Sequence, residues 1–466
     1  MAKLKLKSKD LRKIGFPESP AISVAMQVME KYYKFHSLEA ALEILQTVLD
    51  FPEEYMEHEV LGKIANALVE KAEPEREEIA LREEPIPYHI YGKQHIEPGA
   101  MLQMDVAVRL PIARGAALMP DAHQGYGLPI GGVLAVENAV IPYGVGVDIG
   151  CRMSLSILSM TDERFLQKSN ILERALRNNT KFGTGKEFKF LTEHPVFEDE
   201  AFQTVPILRN MKERASRQLG TSGSGNHFVE FGIVDLTSGE NEWNLPKGKY
   251  VGLLSHSGSR SVGANVAQYY TQIAMDTCLL PRNARHLAYL SLDSEAGMEY
   301  WIGMNLAGDY AAACHDTIHQ RIVGELGCEI LARIENHHNF AWKEQWLGNE
   351  VVVHRKGATP AGKGVLGIIP GSMTAPGFIV KGKGEPLSIN SAAHGAGRRM
   401  SRGEAMQNIT HNALRTYLEK HNVILLGGGL DEAPFAYKDI HEVMKSQSEL
   451  VEVLATFQPR IVRMDA

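Results

Sequence analysis

Short apolar runs punctuated by glycine constrain this chain more than any other feature of its sequence. "GGVLAVENAVI", "NHFVEFGIVD", "KYVGLLSHSG", "EVVVHRKG" and "VILLGGG" are rich in aliphatic and β-branched residues and carry glycine within the run or at one end. That pattern reads as strands joined by tight turns. Helical spacing appears between them, in "NVAQYYTQIAMDTCLL", "EYWIGMNLAGDYAAACHDTIHQRIVGEL" and "SRGEAMQNITHNALRTYLEKH". In the last, Ser401 and Glu404 have the spacing of a capping box, so a helix is expected just after Ser401. The alternation does not resolve into regular βαβ units, which argues against a doubly wound sheet. The expected class is α+β: mixed β-sheets with surrounding helices, forming a single large domain over residues 86–466.

Residues 1–85 differ in character. "SLEAALEILQTVLDF" and "EVLGKIANALVEKA" space apolar residues three or four apart, as amphipathic helices do. The charged stretch "EPEREEIALREEPIP" then ends in Pro85 and Pro87 and reads as a boundary. A small helical extension is therefore expected over 1–85. The net charge of −7 speaks against a general polyanion-coating protein, so any nucleic-acid contact must rest on a local basic groove. Cys151, Cys278, Cys314 and Cys328 are too few and too scattered for a disulfide framework. The basic start "MAKLKLKSKDLRK" lacks the apolar core of a secretory signal, and no apolar stretch of about 18 residues could span a bilayer. A soluble protein of a reducing, cytoplasmic compartment is expected.

Chemistry-bearing residues gather in the glycine-rich turns. Asp148 and Cys151, spaced D-x-x-C in "GVGVDIGC", can converge on one point as a transition-metal pair. The same spacing is met by an inert buried cysteine beside an aspartate that caps a turn. In "GTSGSGNHFVEFG", His227 and Glu230 would face opposite sides of an ideal strand, so a turn is needed before both can reach one site. "LLSHSGSRSVG" places His256 at a strand end and Arg260 at a helix start, where free backbone N–H groups can receive an anion. His337 and His338 are adjacent, so at most one faces a given site. "VHRKGATPAGKG" adds Arg355, Lys356 and Lys363. "SAAHGAGRRMSRGEA" sets His394 on a small-residue turn before Arg398, Arg399 and Arg402, a setting suited to phosphate. Loops of this kind are where sites are assembled.

Taken in order, "MPDAHQGYGLPIGG", "GVGVDIGC", "GTSGSGNHFVE", "HSGSR", "HHNFAWKE", "VHRKGAT", "PGSM", "HGAGRRMSR" and "DEAPFAYKDI" resemble the RtcB family of RNA-splicing ligases. The resemblance spans roughly residues 90–440 and leaves the helical extension outside it. It implies a metal-lined catalytic cleft and a GTP- and Mn(II)-dependent enzyme. The RNA ends joined would be a 3′-phosphate or 2′,3′-cyclic phosphate and a 5′-hydroxyl. By that resemblance Cys151 bridges two Mn(II) ions, Asp148 and His227 hold one, and His256 and His338 hold the other. His394 takes GMP from GTP as a phosphoramidate. The nucleotide pocket is implied to comprise Asn226, His227, Phe228, Val229, Glu230, His338, Asn339, Pro370, Gly371, Ser372, Met373, His394, Gly395, Ala396, Gly397 and Tyr437. Asp121 is a candidate to orient His394 through its other ring nitrogen, or else caps its own turn. Ligand softness and the Irving–Williams order favour Zn(II) over Mn(II) at such a set, so manganese is the family's implication alone.

Two departures touch the base pocket. The family usually ends in Lys-Gly, the lysine contacting guanine, whereas this chain ends "PRIVRMDA" with Met464 at the lysine position. After "PGSM" the family continues Gly-Thr-Ala-Ser, where this chain has Thr374, Ala375, Pro376 and Gly377. A divergent subgroup acting in RNA repair or tRNA splicing is implied. The alternatives are a metal-dependent RNA-end phosphoesterase that does not ligate and a non-catalytic RNA-end-binding protein; the intact ligand set argues against the second. The acidic balance leaves room for an accessory protein that delivers the RNA.

Overall fold

In Arg152–Leu158 every residue is buried, so both faces of this strand are covered. Met153, Leu155 and Ile157 meet Val234, Leu254, Ile368, Ile379 and Phe457 on one face. Ser154 and Ser156 alternate onto the other, where Ser156 Oγ lies 2.7 Å from His319 Nδ1 of the helix Glu295–Leu326. In this computed structural model, which describes all residues except 1–3, 5, 18–20, 70–77, 162–164, 166–168 and 466, that strand lies inside the largest sheet.

The strands are β1 (His89–Ile90), β2 (Ala113–His123), β3 (Ile130–Val136), β4 (Ala139–Val140), β5 (Arg152–Leu158), β6 (Phe228–Leu236), β7 (Gly248–Ser257), β8 (Leu290–Ser291) and β9 (Ile330–His337). There follow β10 (Asn339–Trp346), β11 (Asn349–Lys356), β12 (Ala358–Pro360), β13 (Leu366–Ile369), β14 (Gly377–Gly382), β15 (Ser391–Ala393), β16 (Ile424–Leu426) and β17 (Val451–Met464). The two large sheets have the orders β1-β2-β3-β11-β10 and β13-β14-β17-β6-β7-β5-β9, with β16 added along β17, while β12 with β15 and β4 with β8 form two-stranded sheets. Pairing is antiparallel except for β1 with β2 and β16 with β17, so the sheets are mixed and the class is α+β.

The chain forms two units, Met1–Glu77 and Glu78–Ala466. The division precedes the expected boundary at 85 because backbone hydrogen bonds tie the intervening stretch to the second unit. Ile79 N–H donates to Leu279 O at 2.7 Å and Arg82 N–H to Arg109 O at 2.8 Å. Part of the expected linker, 73–77, lies outside the described residues. The first unit is helical, with Ala21–Tyr32, Leu38–Asp50 and Gly62–Leu68 closing over Leu11, Met29, Leu45 and Ile64.

The capping box at Ser401 is present, but the helix it opens stops at Asn408 and a second runs from His411 to Lys420. Thr410 causes the break by capping the second helix, its Oγ1 accepting from Ala413 N–H at 3.2 Å. Among the described residues no helix is long and apolar enough to cross a membrane.

Candidate active site

Sheet register lines up the metal-ligand candidates. Arg152 of β5 lies opposite Ser257 of β7 and His337 of β9, and His256 of β7 lies opposite Phe228 of β6. Cys151 and His227 immediately precede their strands and His338 immediately follows its own, so all three meet His256 at one end of the sheet. Cys151 Sγ is 3.1 Å from His256 Nε2 and 3.4 Å from His227 Nε2. His256 Nε2 is 3.2 Å from His338 Nε2, and His227 Nε2 is 2.9 Å from Asp148 Oδ2.

The donor set fits a divalent transition metal. Sulfur and imidazole nitrogens of Cys151, His227 and His256 all lie within 4.8 Å of one another. His256 Nδ1 sits 3.0 Å from Asn226 O, which takes its proton and leaves Nε2 a lone pair toward the cluster. Burial holds the His256 pKa down near 3, and burial keeps His338 well below its usual range, so both rings are neutral, the form a metal ligand needs. Burial and the neighbouring Asp148 push the Cys151 thiol well up. Enclosure would raise the Asp148 carboxyl, but hydrogen bonds from His227 and Cys151 with the charge of His227 carry it below its usual value. Gly258 is required beside it, since a Cβ there would fall 2.0 Å from Asp148 Oδ1. The helix start at Arg260 receives an anion from within the chain: Ser259 N–H donates to Asp148 Oδ1 at 3.2 Å. Arg260 itself donates to Gly183 O and Thr221 Oγ1.

His394 follows β15 and faces the same cluster, its ring centroid 4.9 Å from that of His338. Fully buried Asp121 on β2 holds it from behind: Oδ2 accepts from His394 Nδ1 at 2.7 Å, from His394 N–H at 3.2 Å and from Gly395 N–H at 3.3 Å. With Nδ1 committed, Nε2 is the free nitrogen. Gly397, at φ +72°, lets the turn close on Asp121; a Cβ there would lie 2.1 Å from Asp121 O. Arg355, fully buried, donates to Ser391 Oγ at 2.7 Å and Ile389 O at 3.0 Å, fixing the strand that leads into His394. Asn339 couples the two halves, its Nδ2 donating to Asp148 O at 3.4 Å and its Oδ1 accepting from Gly357 N–H at 2.9 Å.

A cavity of about 1000 Å³ opens onto both groups. Asn226, His227, Phe228, Glu230, His338, Asn339, Pro370 to Met373, His394 to Gly397 and Tyr437 all line it. His227 sits in the turn before β6, which resolves the facing problem with Glu230. Val229 does not reach the cavity; it alternates into the core with Phe231 and Leu253. Of the adjacent histidines, His338 joins the cluster while His337 stacks on Trp342 at 5.0 Å, its pKa lowered to about 3 by burial. Exposed Lys363 lies outside the lining. Sequence reasoning missed buried Glu432, which pairs with Arg398 at 3.4 Å and Arg402 at 2.7 Å and accepts from Tyr437 Oη. The two arginines are thus fixed by a buried anion, while Arg399 donates to Phe435 O. Asp-Glu in "DEAPFAYKDI" was the available signal, but nothing in it marked which carboxylate turns inward.

The fold and site together define an α+β protein with a buried thiol–imidazole cluster able to hold a metal ion, beside a carboxylate-held histidine. Residues 103–205 and 196–465 match the family model described as tRNA-splicing ligase RtcB. The chain is 33% identical to RNA-splicing ligase RtcB of Escherichia coli K12, covering 78% of this chain and 93% of that protein. It is 29% identical to tRNA-splicing ligase RtcB of Nanoarchaeum equitans, over 80% of this chain and 94% of that one. The corresponding protein of Thermococcus kodakarensis is 29% identical, over 76% and 88%. This chain belongs to the RtcB family.

Proposed function

We propose that the protein is a GTP-dependent RNA ligase that joins a 3′-phosphate or 2′,3′-cyclic phosphate end to a 5′-hydroxyl end. The carrying observation is His394, held through Nδ1 by buried Asp121 and presenting Nε2 to the cavity it shares with the metal cluster. Cys151, Asp148, His227, His256 and His338 would hold two Mn(II) ions, which supply positive charge to phosphate oxygens as negative charge builds there. The unit Glu78–Ala466 carries the chemistry. The helical unit Met1–Glu77 is open to an accessory protein, and the setting is cytoplasmic RNA repair or tRNA splicing.

His394 Nε2 attacks the α-phosphorus of GTP; a P–N bond forms and pyrophosphate departs. Asp121 keeps the Nδ1 proton in place and stabilises the positive imidazole as it forms. Water opens a cyclic phosphate to the 3′-phosphate. An oxygen of that phosphate then takes the guanylyl group, the P–N bond breaks, and the RNA ends in 3′-pp-5′-G. The 5′-hydroxyl attacks the 3′-phosphorus, loses its proton to solvent and expels GMP. The guanine side of the cavity is walled by Phe228, Met373 and Met464, with Glu230 its buried acid; burial pushes that carboxyl well above its usual range.

Incubation with α-labelled GTP and Mn(II), followed by denaturing electrophoresis, should leave label on the wild-type chain and none on His394→Ala. An unlabelled wild-type chain would overturn the ligase reading. Label without joined product, in a reaction that still consumes RNA 3′-phosphate ends, would leave the nucleotidyl step and remove ligation.

A further inference from the structure

The chemistry above leaves one rim of the cavity unused. Tyr126 stands there with 67% of its surface exposed. Its ring meets Tyr143 at 6.5 Å and His286 at 6.1 Å, both edge-on, and Tyr143 and His286 stack at 5.2 Å with planes 30° apart. Three segments distant in sequence therefore bring three rings together, and the assembly is braced. Lys356 Nζ donates to Tyr126 O at 2.5 Å and Tyr143 O at 3.2 Å, and lies 4.9 Å from the Tyr143 ring centroid. At Gly127, with φ +68°, a Cβ would fall 2.7 Å from His286 O, so the Tyr126 loop packs directly on the His286 turn.

This rim is joined to the reacting groups. Contacts run from Phe228 to His256, His338 and His394. From there His394 Cε1 lies 3.2 Å from the Cβ position of Gly357, the neighbour of Lys356. Phe228 and Met464 stand at one end of that path and Tyr143 with Tyr126 at the other. The helix of Tyr143, Pro142–Val145, also leads within a few residues to Asp148. A substrate end that must touch His394 while the Phe228 wall is filled by a nucleotide approaches from the Tyr126 side.

We propose that Tyr126, with Tyr143 and His286 behind it, is a stacking shelf for the terminal nucleobase of the RNA strand that carries the 3′-phosphate. An aromatic face accepts any base, as a ligase acting on varied ends requires. The 3′-phosphate strand is chosen because its phosphate must reach His394, whereas the 5′-hydroxyl never does. The inference rests on the ligase reading and sharpens it by naming a substrate subsite.

The test uses full-length protein and RNAs with 2-aminopurine at the 3′-phosphate terminus, at the 5′-hydroxyl terminus, or replaced by an abasic 3′-terminal nucleotide. Binding to the wild type should quench the 3′-terminal probe. Tyr126→Ala should weaken binding of the 3′-phosphate RNA roughly tenfold, and Tyr126→Phe should restore it. The abasic strand should bind wild type and Tyr126→Ala alike. Labelling of His394 by GTP, a step without RNA, reports that each variant is folded. Equal affinity of Tyr126→Ala and wild type for the intact strand would overturn the shelf, as would an effect that follows the 5′-terminal base. An unlabelled wild type would overturn the ligase reading instead, and the binding titration would still decide the shelf.

Discussion

The two walls of the cavity obey different rules. On the metal side Cys151, His227, His256 and His338 sit at or beside strand termini, where the register of β5, β6, β7 and β9 sets their positions, and Asp148 reaches them from the turn before β5. On the wall proposed to hold the base, Phe228, Met373 and Met464 belong to an apolar cluster with Leu430, Ala433 and Val462. Metal coordination and proton placement are directional, so a displacement of an ångström costs function. Apolar contact is not directional and tolerates exchange of side chains of similar volume. That contrast fits the family resemblance, which the metal-ligand candidates match and from which only Met464 and the segment Thr374 to Gly377 depart.

The sharpest way to break the comparison is to remove the shared sulfur. Cys151→Ala should abolish stoichiometric metal binding, read by elemental analysis after gel filtration, and with it His394 labelling. Met464→Leu, on the other wall, should leave both in place. Retained metal in Cys151→Ala would show that the imidazoles suffice. Next in size is Asp121→Asn, which exchanges an acceptor for an amide and releases the Nδ1 proton of His394. Labelling should slow by on the order of 10²–10⁴-fold with metal content unchanged. A rate within a few-fold of wild type would mean that Asp121 only caps its turn.

Cys151 also couples the metal wall to pH. Its thiol is pushed up by burial and Asp148, so at neutral pH it carries a proton that a cation must displace, whereas His256, held near 3, carries none. Metal affinity should therefore rise about tenfold per pH unit through the neutral range and flatten above the thiol pKa, with about one proton released per cysteine engaged. Calorimetry in buffers of different ionisation heat measures that number. Zero protons would mean that the thiolate is already formed. Zn(II) should compete with Mn(II) for the set, since sulfur and imidazole favour it.

Turn composition gathered the candidates, with glycine beside His, Cys or Asp, but each turn alone was weak and the family resemblance implied the set; the structure brings Cys151, His227 and His256 within 4.8 Å of one another. Adjacent His337 and His338 could not be separated by spacing. The structure parts them, because strand alternation sends one side chain to Trp342 and the other to His256. Val229 was grouped with its neighbours by motif, yet the same alternation buries it in the core. The arginines after His394 read as free phosphate partners, and only the long-range return of Glu432 shows them paired. The break at Thr410 was hidden for a related reason: a threonine within a helical pattern is a cap only if the chain turns there.

The smallest predicted effect probes the base wall itself. Met464 lies opposite Phe228 in the β17–β6 ladder, and Val462, opposite Glu230, is its neighbour on the same face. A lysine at 464 would place an ammonium diagonal to Glu230, within reach of a long side chain. It would draw the Glu230 carboxyl down from the raised value that burial imposes, giving guanine a carboxylate for its N–H donors. The ammonium itself would donate to the guanine carbonyl and repel the amino group of adenine. Each effect favours GTP, and one charge-assisted hydrogen bond contributes roughly 1.5–3 kcal/mol, so the GTP-to-ATP ratio of His394 labelling should rise about tenfold or more in Met464→Lys. Met464→Leu is the control, keeping the wall apolar and the ratio at its wild-type value. An unchanged ratio in Met464→Lys would show that this wall does not read the base.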